Sequence, residues 1–262
     1  MTDEFVDLSV RQAVDRNRRL PPMEALAWLG DGWRDLWRDP FTSFAYGVVV
    51  AVISLGIVLG LGNLGLDYIL FPALSGFLVV GPILAVGLYE KSRRFAAGET
   101  PRLRDMLRPR AGAAAHLLFI GAILTTLMLL WLRAAVLIYA LFFGLHPFPG
   151  LEQIVPVLFT TPLGIAMLGV GTVVGGLFAA FAFAISVFSI PMLLERDVDA
   201  FTAMGLSIST AWQNLPVMLV WGAIVLALTL VGLVTFMAGF MIVFPLLGHA
   251  SWHAYAAMRI DR

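Results

Sequence analysis

The chain has 262 residues, of which 60% are hydrophobic and only 13% are charged, and its mean hydropathy is +0.90. A soluble domain usually carries about 25% charged residues, so this composition excludes an ordinary soluble protein. The absence of cysteine excludes disulfide bonds, thiolate chemistry and cysteine-ligated metal centres. We therefore expect an all-α membrane protein, because hydrocarbon offers no partner to an unpaired backbone amide.

The predicted elements begin with polar sequence and continue with long apolar runs. Residues 1–21 are expected to form a cytoplasmic N-terminal segment without a cleavable signal peptide. Five runs then contain almost no ionisable side chains, namely 42–61, 68–88, 111–132, 162–190 and 215–248. A bilayer core about 30 Å thick needs roughly 20 apolar residues per helix, and the 34 residues of the last run suffice for a hairpin. The sequence thus predicts six transmembrane helices, paired as three hairpins, in one domain over residues 22–258.

The basic residues lie almost entirely on one side of these predicted helices. Six precede the first helix and seven lie between the second and the third, whereas Arg133 alone falls on the opposite side. Because lysine and arginine are retained in the cytoplasm, the topology is predicted to leave both termini there.

The second and the last predicted helices contain related sequences. Residues 76–92 and 239–255 align without a gap, and four positions correspond: Gly76, Phe77, Pro82 and Tyr89 with Gly239, Phe240, Pro245 and Trp252. A proline within a helix removes one hydrogen bond and bends the helix, so Pro82 and Pro245 are predicted kink sites.

The duplicated unit also includes an amphipathic stretch before each hairpin. Residues 24–39 and 199–214 carry apolar side chains at helical spacing, and a shorter stretch at 101–107 precedes the middle hairpin. We predict that each stretch is a helix in the cytoplasmic interface. The repeat units then span about 22–94, 101–192 and 198–258.

Tryptophan and basic side chains are expected at the depth of the lipid headgroups. These lipid and interface residues are Trp33, Trp37, Lys91, Arg93, Arg94, Trp212 and Trp252. Asp35 is expected on the polar side of the first amphipathic helix, opposite Trp33, and Glu90 is expected to pair with Arg94 on the helix surface.

The longest outside connection, residues 133–161, is apolar, aromatic and interrupted by proline. Outside loops are normally polar, so this segment is expected to lie on the membrane surface or against another protein. The alternative is an irregular extension of the third and fourth helices.

Three histidines are candidate cofactor ligands. His249 and His253 share a helix face at spacing i, i+4, and His116 is predicted at a similar depth. Facing imidazoles can bind haem iron or a divalent metal. The alternative is a hydrogen-bonded structural pair, since two ligands are still missing and no carboxylate is predicted nearby.

Three segments carry a resemblance to a known family. They are Gly81-Pro82 with 87–94 (G-L-Y-E-K-S-R-R), then 191–199 (P-M-L-L-E-R-D-V-D), then 245–255 (P-L-L-G-H-A-S-W-H-A-Y). Together they resemble a bacterial family of predicted integral membrane proteins, domain of unknown function 2189, from about Arg19 to Tyr255. Some members carry an automatic label as cytochrome c oxidase subunit I-like, but six helices and four histidines cannot supply a haem–copper centre. The resemblance implies a bacterial inner (plasma) membrane protein and transfers no activity.

No sequence motif for catalysis is present. The chain has no phosphate loop, no G-x-S-x-G elbow and no H-E-x-x-H motif. We therefore expect a non-enzymatic protein without a bound cofactor that associates with lipids and another membrane protein, not with nucleic acid, for example as an accessory or assembly subunit of a respiratory-type complex. The alternatives are binding or transport of a small solute or lipid between the hairpins, and haem or metal binding through the histidines.

Overall fold

The computed structural model describes residues 20–106, 112–144 and 148–259. Over these ranges the fold is all-helical, without a strand. The helices are α1 (Glu24–Arg38), α2 (Pro40–Asn63), α3 (Leu70–Leu84), α4 (Val86–Ala96), α5 (Leu103–Met106), α6 (Ala113–Phe143), α7 (Leu151–Thr160), α8 (Pro162–Ser186), α9 (Ser189–Glu195), α10 (Ala200–Gln213), α11 (Leu215–Val234) and α12 (Phe240–Met258).

Five helical stretches in the described ranges are long and apolar enough to cross a membrane. They are Pro40–Asn63, Asp67–Ala96, Ala113–Phe143, Pro162–Glu195 and Leu215–Val234. Helix α12 is not among them because its second half contains His249, Ser251 and His253. The all-helical prediction is confirmed, whereas a sixth spanning helix and the three-hairpin repeat are not.

Helix α12 lies inside the bundle, in contact with α1, α2, α4 and α11. Two glycines allow the close approach of its neighbours. A Cβ atom on Gly32 of α1 would lie 2.6 Å from the backbone nitrogen of Ala250, and one on Gly47 of α2 would overlap the backbone of Met241. Most side chains of α12 are therefore buried by protein.

The two predicted proline kinks have different local structures. Helix α3 ends two residues after Pro82, and Ala85 (φ −90°, ψ 1°) separates it from α4. Helix α12, in contrast, continues without a break around Pro245. The interruption at Ala85 matters for the site below because α4 begins immediately after it.

The amphipathic helices α1 and α10 both expose aromatic side chains. Trp33 and Trp37 of α1 are about half exposed, and Trp212 of α10 is 74% exposed. The opposite face of α1 differs from the prediction, since Asp35 is buried there together with Trp28. Before the middle hairpin, α5 forms only one turn, and the following residues 107–111 lie outside the described ranges.

The predicted outside connection, residues 133–161, is helical over most of its described residues. Helix α6 continues to Phe143, so part of the segment extends the third predicted helix. Helix α7 then packs on α8, where Gly164 lies against the backbone of Val157 and Leu158. The intervening residues 145–147, which include His146, lie outside the described ranges.

Candidate functional site

A cluster of polar side chains is buried at the end of the bundle where α1, α2, α4 and α12 meet. Lys91 of α4 occupies its centre. The Lys91 side chain is 0% exposed, and its ammonium group lies 3.1 Å from Asp39 Oδ2. Nζ donates hydrogen bonds to the Asp39 carbonyl oxygen (2.7 Å), Thr42 Oγ1 (2.5 Å) and Ser43 Oγ (2.8 Å). The structure thus places Lys91 among protein groups and not at the lipid headgroups, where the sequence suggested it.

His249 of α12 connects the two serines of the cluster. Its Nε2 atom lies 2.9 Å from Ser43 Oγ, and its Nδ1 atom lies 2.7 Å from Ser92 Oγ. All three side chains are completely buried. Both ring nitrogens therefore have hydrogen-bond partners within the protein.

Asp35 of α1 completes the cluster with His253. The Ser92 hydroxyl donates to Asp35 Oδ2 (2.7 Å), and His253 Nε2 lies 2.8 Å from the same oxygen. The prediction that no carboxylate lies near the histidines is therefore wrong. Burial opposes ionisation of this carboxyl, but the hydrogen bonds from His253 and Ser92 outweigh burial, so the pKa of Asp35 lies below its ordinary value.

Asp39 precedes α2 and forms the more exposed edge of the cluster, with its side chain 34% exposed. Burial again opposes ionisation. The hydrogen bonds from Thr42 and Lys91 prevail, and the pKa of Asp39 lies below its ordinary value. Two ionised carboxylates thus flank one buried ammonium group.

An ion-pair group lies on the neighbouring turn of α4. Glu90 accepts two hydrogen bonds of 2.7 Å from Arg93 and one of 2.7 Å from Arg94. The predicted pairing of Glu90 with Arg94 is present, but the Glu90 side chain is buried and not on the surface. Arg93 and Arg94 remain about a quarter exposed, so their guanidinium groups still reach the surface.

A second polar contact joins α9 to the end of α12. The Tyr255 hydroxyl donates to Glu195 Oε2 (2.7 Å), and Arg259 pairs with Oε1 of the same carboxylate. Segments 87–94 and 191–199 thus both bond to segment 245–255, one through Ser92 and the other through Glu195.

The structure brings together only two of the three candidate histidines. His249 and His253 belong to the cluster, whereas His116 lies on α6, which packs against α3, α8, α9 and α10. Within the described ranges, no three His, Cys, Asp or Glu side chains are grouped so as to hold a metal ion. Of the interface residues, Trp252 is completely buried, unlike Trp33 and Trp212.

One sequence signal could have revealed the cluster. Trp28, Gly32 and Asp35 follow at i, i+4 and i+7, which places the acid on the same helix face as a large apolar side chain and a glycine. Such a face is suited to close packing against another helix. The partner residue, His253, is 218 positions away from Asp35, so it could not be inferred from local pattern.

Comparison with known proteins gives similarity to one family model and no described activity. No curated protein and no solved structure matches the chain. One family model, described as "Predicted integral membrane protein (DUF2189)", matches residues 70–195, which correspond to α3 through α9. The match includes segment 87–94 and the start of segment 191–199 and ends before segment 245–255. The resemblance is thereby confirmed over residues 70–195, where the chain is similar to the predicted integral membrane proteins of the DUF2189 family.

Proposed function

We propose that the protein is a multi-pass protein of the bacterial plasma membrane that catalyses no reaction and acts by association with another membrane protein, as an accessory or assembly subunit of a larger complex. This proposal has two parts, the way the chain crosses the membrane and the surface through which it associates.

For the first part, we propose that α12 is a sixth spanning helix, so that three hairpins leave both termini in the cytoplasm. Its 19 residues reach about 28 Å at 1.5 Å per residue, close to the bilayer core. Only five residues separate α11 from α12, with positive φ angles at Phe236 and Met237, as a tight reversal requires. The polar residues of α12 are compatible with a membrane position because surrounding helices, not lipid, cover them.

For the second part, the supporting observation is an outward-facing row of small residues on α8. The row consists of Ala166, Gly169, Gly176 and Ala180, with the larger Val173 at its centre. These five positions follow the spacing 3, 4, 3, 4, and all are exposed. No described atom lies within 4 Å of a Cβ placed on Gly169 or Gly176, whereas Gly175 faces inward against Trp131. Small residues on a spanning helix let another helix approach closely, which favours association in lipid.

The association is tested by cross-linking in native membranes followed by native gel electrophoresis. The wild-type protein is expected to migrate above the monomer, and the double variant Gly169→Leu/Gly176→Leu is expected to migrate as a monomer. Gly56→Leu on α2 is the matched control, because Gly56 is also exposed with open space around its Cβ position. A wild-type protein that runs only as a monomer and cross-links to nothing would refute the proposal.

A further inference from the structure

The hydrogen bonds of the buried cluster have a defined direction. The Lys91 ammonium group has three N–H bonds, and these donate to Asp39, Thr42 and Ser43. At the other end, the Ser92 hydroxyl donates to Asp35 Oδ2, so Ser92 Oγ accepts from His249 Nδ1–H, and the Ser43 hydroxyl donates to the remaining ring nitrogen. Nε2 is therefore an acceptor, and the neutral ring carries its hydrogen on Nδ1.

The hydrogen bonds on the Nδ1 side of the His249 ring point the same way. Nδ1–H donates to Ser92 Oγ, and the Ser92 hydroxyl donates to Asp35 Oδ2. The resulting chain of hydrogen bonds begins at the buried Lys91 ammonium group and ends at the Asp35 carboxylate. It passes through two hydroxyls and one imidazole, and every donor in it points towards Asp35. His253 reaches the carboxylate end, and its side chain is 23% exposed.

We propose that this chain is a proton relay between the buried Lys91 ammonium group and the Asp35–His253 pair at the edge of the bundle. In one transfer along the relay, a proton leaves Lys91 Nζ for Ser43 Oγ, and the Ser43 proton passes to His249 Nε2. The Nδ1 proton then passes to Ser92 Oγ, and the Ser92 proton passes to Asp35 Oδ2. Lys91 becomes a neutral amine and Asp35 a carboxylic acid. Each bond broken is replaced by one formed, and no oxidant or reductant is required.

Charged groups near His249 come from four elements of the structure. Helix α1 contributes Asp35, α4 contributes Lys91, the turn before α2 contributes Asp39, and α12 itself contributes His253. A buried ionic network is weak evidence of stabilisation, because apolar side chains of similar volume are often as stable or more stable. A proton-transfer role goes beyond the association proposed above and does not depend on it.

The first test measures the His249 tautomer in the wild-type protein. Purified protein with 15N-labelled histidine, in lipid nanodiscs, is expected to show His249 protonated at Nδ1 and unprotonated at Nε2. A resting ring protonated predominantly at Nε2, the tautomer expected only after a transfer along the relay, or at both nitrogens at neutral pH, would overturn the relay. This measurement needs no variant.

The second test interrupts the hydrogen-bond chain at Ser92 and measures how fast the His249 Nδ1 proton exchanges with water. Ser92→Ala is expected to slow this exchange about tenfold, since the proton loses its path to Asp35, and Ser92→Thr is expected to restore the rate. Ser186→Ala is the matched control, because Ser186 is equally buried but bonds only to the Ala182 carbonyl.

Whether the Nδ1 proton exchanges more slowly or faster in Ser92→Ala distinguishes a relay from a purely structural network. If the network only holds the helices together, Ser92→Ala loosens them and the exchange becomes faster or stays unchanged. Either result overturns the proposal. Slower exchange in Asp39→Asn, with Ser92→Ala unaffected, would also overturn it, because protons would then leave through Asp39.

Discussion

At the scale of single residues, Lys91 is the group on which the cluster depends most. Its ammonium group is completely enclosed and compensates Asp39 while donating to two hydroxyls. Removing one partner of a buried ion pair is far more costly than removing a surface charge, because the remaining charge is left without compensation.

We expect Lys91→Met to lower the free energy of unfolding in detergent by about 2–3 kcal/mol, below the full value for a buried pair because Asp39 is one-third exposed. Arg104→Met is the control, since that side chain is 69% exposed, and it should change the free energy by less than about 0.5 kcal/mol. Equal free energies for both variants would contradict the assigned role of Lys91.

The lowered pKa values of Asp35 and Asp39 allow a prediction of how stability depends on pH. Asp35 and Asp39 both have pKa values in the folded protein below the ordinary value of about 3.9. Their contribution is therefore complete above about pH 4 and is lost as the pH falls through the lowered pKa values. Thermal unfolding of the wild-type protein should show an acid-induced loss below about pH 4, and Asp35→Asn/Asp39→Asn should reduce it. An identical acid slope in the double variant would contradict the prediction.

At the scale of helices, the site depends on how closely α1 approaches α12. Gly32 makes this possible, because any Cβ there would clash with Ala250. We expect Gly32→Val to separate the helices and to lower the free energy of unfolding by about 1–3 kcal/mol. Gly30→Val on the same helix is the control, since nothing lies within 4 Å of its Cβ position. Similar stability of the two variants would show that α1 does not pack in this way.

The helices themselves could largely be predicted from the sequence, but their contacts could not. The apolar run 42–61 lies within α2, and the run 215–248 covers α11 and the first half of α12. On the amphipathic helix α1, for example, Trp28 is buried and Trp33 is exposed, although both are large aromatic residues of the same short stretch. The burial of Asp35 and Lys91 follows from partners on distant helices. Local periodicity does not contain that information.

At the scale of the whole molecule, the proposed sixth spanning helix α12 is enclosed by other helices. A hydropathy criterion treats each helix as if lipid surrounded it, and α12 fails that criterion because of its histidines. Helices around α12 supply the hydrogen bonds that lipid cannot, through Ser43, Ser92 and Asp35. The same enclosure holds the polar cluster at one end of the bundle, next to the basic residues of α4.

The number of crossings is tested most directly by cysteine labelling, since the natural chain contains no cysteine that would react. One variant carries Phe236→Cys, at a residue that is 86% exposed between α11 and α12, and another carries a cysteine added after Arg262. In intact cells, a membrane-impermeant maleimide should label the cysteine at 236 but not the added one, which should react only after permeabilisation. Labelling of both positions in intact cells would show that α12 does not cross the membrane and would contradict the account.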